Sequence, residues 1–248
     1  MDDAQFRRFL DALAGEGAAL ADAAVAGDLT TAVLGCPGWT VDDVVFHTAG
    51  VYAHKRAVLA LGHPPDQEQV PPGPPDGANA VPWFREQLAA LVAELSAHDS
   101  GDRTWTWLPS DQSVGFWARR MAQETVVHRL DVEGAAGSPG PVADWLAVDG
   151  VDEMLSSFLA ADPWHDVPAG PDAGTVEVAA GDRVWRVRLA AGQTRLSPDE
   201  PGHADARVAA DPGIALSWVW GRVVDDAVSL SGDATAVVEL TRRLRAVS

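Results

Sequence analysis

Apolar residues early in the chain recur at Phe6, Phe9, Leu10, Leu13 and Leu20, the three-and-four spacing that turns one face of a helix toward a core. The spacing predicts a first helix over residues 2 to about 26. CPGWT then interrupts the pattern. Pro37 and Gly38 break the chain, Thr40 is placed to cap a new helix, and Asp43 three residues on completes an approximate capping box. A second helix is expected from 41 to about 61, with Val44, Val45, Val51, Tyr52, Val58 and Leu59 as its apolar stripe. Residues 63–82 carry too much proline for a helix or a central strand and read as a long surface connection. Helical periodicity returns over 83–98, 113–133 and 142–161. Over 175–192 it gives way to strict alternation, with Gly181-Asp182 as a hairpin turn. ADARVAAD reads as a third strand, PGIALSWVWG as a short helix, AVSLSG as a fourth strand and DATAVVELTRRLRAV as a closing helix. The change of period sets a domain boundary: a helical domain over 1–165 and a small α+β domain with a largely antiparallel sheet over 166–248.

The helix over 113–133 departs from simple amphipathicity. Glu124 and His128 stand roughly 40° apart around the helix axis and about 6 Å along it, so both side chains reach one point. Trp117, Met121, Asp131 and Val132 fall on the same face and Arg120 at its edge, so polar groups are being buried. A carboxylate placed in a core costs several kcal/mol unless a counter-charge, a hydrogen-bond partner or a metal ion meets it. On the second helix His47 sits at the margin of the apolar stripe, with His54 seven residues on. Two packed antiparallel helices could bring His47 to Glu124 and His128. Two imidazoles and a carboxylate with an open fourth position are the catalytic zinc pattern, and iron or manganese takes similar ligands. The residues alone leave other readings open. A Glu and a His four apart are commonly an exposed pair worth a few tenths of a kcal/mol, about 0.2–0.5. His47 reads equally as a hydrogen-bonded histidine, Arg120–Glu124 as a salt bridge without metal, and Asp131 as a group orienting His128 or Arg129.

Charge and cysteine content narrow the chemistry. Thirty-six acidic residues against 18 basic ones give a formal net charge of -18, which repels nucleic-acid phosphates and anionic membranes and excludes both as partners. No apolar stretch reaches the ~18 residues that span a bilayer. The acidic start MDDAQFRRFL lacks the basic-then-apolar order of a signal peptide, so a cytoplasmic protein is expected. Cys36 is the only cysteine, which excludes an intrachain disulfide and a thiolate-rich metal site; beside Pro37 and Gly38 it reads as a small packing residue. Lys55 is the only lysine among the 18 basic residues, a bias that fits a GC-rich genome.

CPGWTVDDVVFHTAGV resembles the capped second helix of the mycothiol-dependent maleylpyruvate isomerase family, whose members carry the first metal histidine there. RRMAQETVVHRLDVEGAAG is similar to the family's second motif, in which a Glu and a His four residues on supply two further ligands. DARVAADPGIALSWVWGRVVDDAVSLSGDATAVVEL resembles the family's small carboxy-terminal domain. The resemblance implies a DinB-like four-helix bundle followed by a sterol-carrier-like α+β domain, in an actinobacterial protein. It implies a divalent ion, zinc foremost, on His47, Glu124 and His128, with mycothiol as the thiol cofactor and a small electrophile as substrate, in a monomer or homodimer. Arg222, in WVWGR, matches a basic residue that would meet an anionic substrate or the thiol. The tryptophans fall mostly at helical or strand positions and read as core, though Trp39, Trp117 and Trp220 could wall the cleft. Arg56 and Arg120 are further candidates for a dianionic substrate.

In the family the activated thiol adds to the double bond of maleylpyruvate, the resulting single bond rotates, and elimination gives fumarylpyruvate; in transferase relatives the thiol stays attached. Gln123 and Tyr52 stand where many members carry histidine, which leaves the electrophile open. The competing reading is a metal-stabilised binding or regulatory module, with His54 or Asp131 closing the coordination sphere.

Overall fold

Side-chain oxygens open three of the first four helices. Asp2 accepts from Gln5 N ahead of α1 (Asp3–Ala26), Thr40 and Asp43 form a reciprocal capping box at α2 (Val41–Leu61), and Ser113 accepts from Phe116 N ahead of α4 (Val114–Ala135). The third, α3 (Val81–Ser96), has Pro82 in its first turn, where the missing N–H costs nothing. These elements belong to a computed structural model that describes residues 1–75, 77–137, 139–197 and 202–248. The chain forms two compact units, Met1–Gly140 and Pro141–Ser248.

In the first unit α1 packs on α3 and α4, and α2 packs on the same two helices, giving a four-helix bundle. Phe9, Leu13 and Leu20 of α1, Val44 and Tyr52 of α2, Phe84 and Leu91 of α3, and Trp117 and Met121 of α4 form its core. The sequence assigns α4 one inward face. In the structure nearly every residue from Val114 to Val132 is buried, because α1 and α2 both lie against it and the loop before it covers a third side, with Trp117 Nε1 donating to Trp105 O at 2.8 Å. A helix surrounded in this way must neutralise its own charges. Arg129 does so with Glu16 and, at 2.5 Å, with Glu133.

In the second unit a five-stranded sheet runs in the order β3-β2-β1-β4-β5, from β1 (Gly174–Ala180), β2 (Arg183–Ala190), β3 (Gln193–Leu196), β4 (Ala206–Ala210) and β5 (Ser229–Gly232). Among the described residues only β1 and β4 pair in parallel; the other neighbours are antiparallel. α6 (Pro212–Val219) and α7 (Ala234–Arg245) both contact β1 and β4. The two-residue turn at Gly181-Asp182 has the glycine at φ 58, where a Cβ would be strained.

Two elements differ from the sequence reading. β3 was not expected, since QTRL carries a single large apolar residue and its place is fixed by pairing with β2. The two compact units divide at Gly140/Pro141, whereas the change of period places a boundary at 165. The helix read over 142–161 is α5 (Asp144–Glu153) continued by a π-helical stretch, Met154–Ala160, and it packs on α6 and β3. Trp185 Nε1 of β2 donates to Asp152 Oδ1 of that helix at 2.9 Å. Periodicity reports that a helix has an apolar face, not which partner covers it. Among the described residues no helix is long and apolar enough to cross a membrane.

Candidate metal centre

The capping box starts α2 at a fixed residue, so His47 emerges two turns later on the side of the helix that faces α4. Its Nε2 lies 3.4 Å from Glu124 Oε1. His128, one turn beyond Glu124 on α4, brings its own Nε2 to 3.3 Å from the same oxygen. The two imidazole rings meet edge to face with centroids 5.2 Å apart, and one ligand atom from each of the three residues lies within 4.8 Å of the others. Ligands about 2.0–2.1 Å from a tetrahedral zinc ion stand about 3.3 Å from one another. Both His–Glu separations match that edge, so the donor set fits a divalent ion in chemistry and in spacing.

Each of the three side chains is held by a second group. Arg120 Nη2 donates to Glu124 Oε2 at 2.8 Å, leaving Oε1 for the two histidines. Asp131 Oδ2 lies 3.0 Å from His128 Nδ1, which fixes the tautomer that presents Nε2. Cys36, from the turn before α2, donates its thiol to that same Asp131 oxygen at 3.4 Å. Trp39 packs its ring on His47 with centroids 4.9 Å apart.

The side chains grade from 38% exposed at His47 through 19% at Glu124 to 10% at His128, so the site is reached from the His47 side. A cavity of about 760 Å³ opens there, lined by Trp39, Phe46, His47, Val51, His54 and Lys55 among others.

Burial raises the Glu124 carboxyl, but the hydrogen bonds from His128 and His47 and the charges of His128 and Arg120 outweigh it and hold the group well below the usual carboxylate range. His128 is the counterpart: burial pushes it down, while Asp131, Cys36 and Glu124 hold it well above the usual imidazole range. The two shifts favour a charged carboxylate beside a protonated imidazole, and a cation held there would compete with that proton.

The structure brings His47, Glu124, His128, Arg120 and Asp131 together. His54 stays outside the cluster: its Nδ1 faces Lys55 Nζ at 3.3 Å, and burial followed by the Lys55 charge lowers it to about 4. Arg56 turns to Gln87 Oε1 of α3 at 2.9 Å. Tyr52 is fully buried against Thr125 Oγ1 at 2.5 Å. Arg222 and Trp220 belong to the second unit, where Arg222 Nη1 donates to Trp220 O at 2.6 Å and the buried Trp220 ring meets Phe158 edge-on. Sequence reasoning missed the contact of Cys36 with Asp131. The two are 95 positions apart, and no spacing rule links them.

The family model for the mycothiol maleylpyruvate isomerase N-terminal domain matches residues 10–133, half of the chain. Among solved structures the chain is similar to a mycothiol-dependent maleylpyruvate isomerase, at 13% identity and TM-score 0.64 over 92% of this chain and 94% of that one. A mutant of a mycothiol-dependent maleylpyruvate isomerase matches at 12% identity with the same TM-score and coverage. At such identities the likeness speaks for the fold, and it covers both units. No curated protein matches the chain.

Proposed function

The chain belongs to the mycothiol maleylpyruvate isomerase family, and on that premise we propose that it is a metal- and mycothiol-dependent enzyme acting on a small electrophile. His47, Glu124 and His128 hold the ion, zinc first among divalent metals. The reaction is cis–trans isomerisation of a maleylpyruvate-like acid or transfer of the thiol to an electrophile. The observation that carries this reading is the meeting of His47 Nε2 and His128 Nε2 on one oxygen of Glu124. When bound, such an ion supplies Lewis acidity that lowers the pKa of a thiol at its open position, so that thiolate is present at neutral pH.

The chain's own residues set the stage for that chemistry. Arg120 ties back one Glu124 oxygen and balances its charge, and Asp131 keeps His128 in the tautomer a cation requires. Trp39 shields one flank of His47 from water. Cys36 donates its thiol to Asp131, and the nucleophile in this reading is the thiol of mycothiol. Among the described residues no fourth donor joins His47, Glu124 and His128; Cys36 and Asp131 gather around His128 instead. With Asp131 turned to His128 Nδ1 and His54 to Lys55, this favours an open site over a closed structural one. Arg222 and Trp220 of the second unit complete the proposal as contacts of the thiol or of an anionic substrate.

The test is metal analysis of the purified protein together with mycothiol-dependent conversion of maleylpyruvate, and mass spectrometry of mycothiol adducts with other electrophiles. About one ion per chain with thiol-dependent turnover or adducts is expected; absence of both in the metal-loaded protein overturns the reading. Asp131→Asn is expected to weaken Zn(II) binding about 10–100-fold, measured by chelator competition. An unchanged affinity would deny Asp131 its orienting role.

A further inference from the structure

The only lysine of the chain stands in the cavity beside His47. Residues 47, 51, 54 and 55 of α2 follow the i, i+4, i+7, i+8 spacing of one helix face, so His47 and Lys55 line the same wall, about 12 Å apart along the axis. The Lys55 ammonium lies 4.7 Å above the centre of the Trp117 ring and donates to His54 Nδ1 at 3.3 Å. An ammonium has three donors, so two are left over.

Among the described residues no carboxylate comes within ion-pair distance of Lys55, in a chain with twice as many acidic as basic residues. Two carboxylates of this region are committed elsewhere. The Asp43 carboxylate, also on the cavity wall, caps Thr40 through its N and Oγ1 at 2.8 and 2.7 Å, and Glu124 serves Arg120 and the two histidines. A half-buried cation without a counter-charge is unfavourable, and a bound anion removes the penalty. Desolvation, helped by the Arg120 charge and opposed by that of Glu124, brings the amine down to about 8.

We propose that Lys55 anchors a carboxylate of the electrophile, so that the cavity selects small unsaturated acids over their neutral esters and amides. The assignment deepens the metal- and thiol-dependent reading and rests on it. A lone ammonium is a compact point charge with three donors, suited to one carboxylate. A small acid gripped at Lys55 extends along α2 toward His47, which places its reacting carbon on the side of the proposed ion. The Lys55 ammonium rests on the Trp117 ring, which fixes its place at the cavity wall. Lys55 is thus a substrate-anchoring residue, and it supplies the local positive charge that an acid needs in a protein of net charge -18.

Because the lysine is unique, the wild-type protein reports on it directly. Reductive methylation, followed by peptide mass mapping, reads the Lys55 rate against the amino-terminal amine as internal reference. Saturating succinate is expected to slow Lys55 at least about threefold while succinamide leaves it unchanged. Equal rates with the two probes overturn the proposal. In mycothiol-dependent turnover of maleylpyruvate, Lys55→Met is expected to raise KM about tenfold or more. Metal content and kcat should stay near the wild-type values, and Lys55→Arg should recover most of the lost KM. A Lys55→Met enzyme with wild-type KM likewise overturns the assignment. If the wild-type protein turns over no electrophile with thiol, the proposed function fails alone, since the protection experiment needs neither metal nor thiol.

Discussion

His47→Ala is expected to lose thiol-dependent turnover by about 10³-fold or more while the protein stays folded. Loss even of groups that only orient metal ligands costs about 10–100-fold, and here one of three ligands disappears. His47 is the most exposed of the three, and its neighbours are Glu124, the Trp39 ring and the His128 ring. Its removal opens the existing cavity and leaves no buried void. The cost in stability is therefore expected to stay within about 1 kcal/mol. Glu124 keeps two partners, Arg120 at 2.8 Å and His128 at 3.3 Å, so the buried carboxylate is not orphaned. Metal analysis, turnover with mycothiol and thermal melting of the variant, measured together, separate the possibilities. Retained turnover would remove His47 from the site, whereas a collapse of the melting transition would make it structural.

The second large effect lies in the other unit. Arg243→Met is expected to destabilise that unit by about 3–5 kcal/mol, the range for breaking a buried, fully hydrogen-bonded ion pair. Arg243 is 0% exposed. It donates to Glu239 Oε1 at 2.7 Å, to the carbonyls of Gln193, Pro171 and Ala190 at 2.8, 2.9 and 2.9 Å, and to Thr194 Oγ1 at 3.1 Å. All five guanidinium hydrogens are thus used to hold α7 to the β2–β3 turn and to the segment entering β1. Methionine fills the volume but leaves those carbonyls without a donor.

The same network gives an acid signature. Hydrogen bonds from Arg242 and Arg243 outweigh burial and hold the Glu239 carboxyl at about 2 instead of its ordinary 4.5. A lowered carboxyl contributes stability that is whole above 4.5 and drains away as the pH falls toward 2. Urea unfolding at neutral pH and across that acid window tests both points: the variant should start lower and lose less on acidification. A loss below about 1 kcal/mol at neutral pH would reduce Arg243 to an ordinary surface charge.

Much of the fold was legible because its signals are local. A cap, a capping box and a proline in a first turn each act within four residues, and the starts of α1, α2 and α4 stand where Asp2, Thr40 and Ser113 put them. The hairpin at Gly181-Asp182 was equally readable, since one glycine at positive φ decides it. The short edge strand β3 was not readable. Its four residues carry no alternation of their own, and they become a strand by pairing with β2. Nor could the allegiance of α5 be read, because an apolar helix face fits a bundle and a sheet-bearing unit equally well.

The site divides along the same line. Helical geometry by itself puts Glu124 and His128 within reach of one point, and the cost of burying a carboxylate requires a partner for it. The choice of His47 as that partner belongs to the packing of α2 on α4, as do the turning away of His54, the contact of Cys36 with Asp131 across 95 positions and the placing of Lys55 over Trp117. Distances along one helix follow from 3.6 residues per turn, but distances between helices depend on which apolar faces close on each other. That is an outcome of the whole core, which no single stretch of the chain encodes.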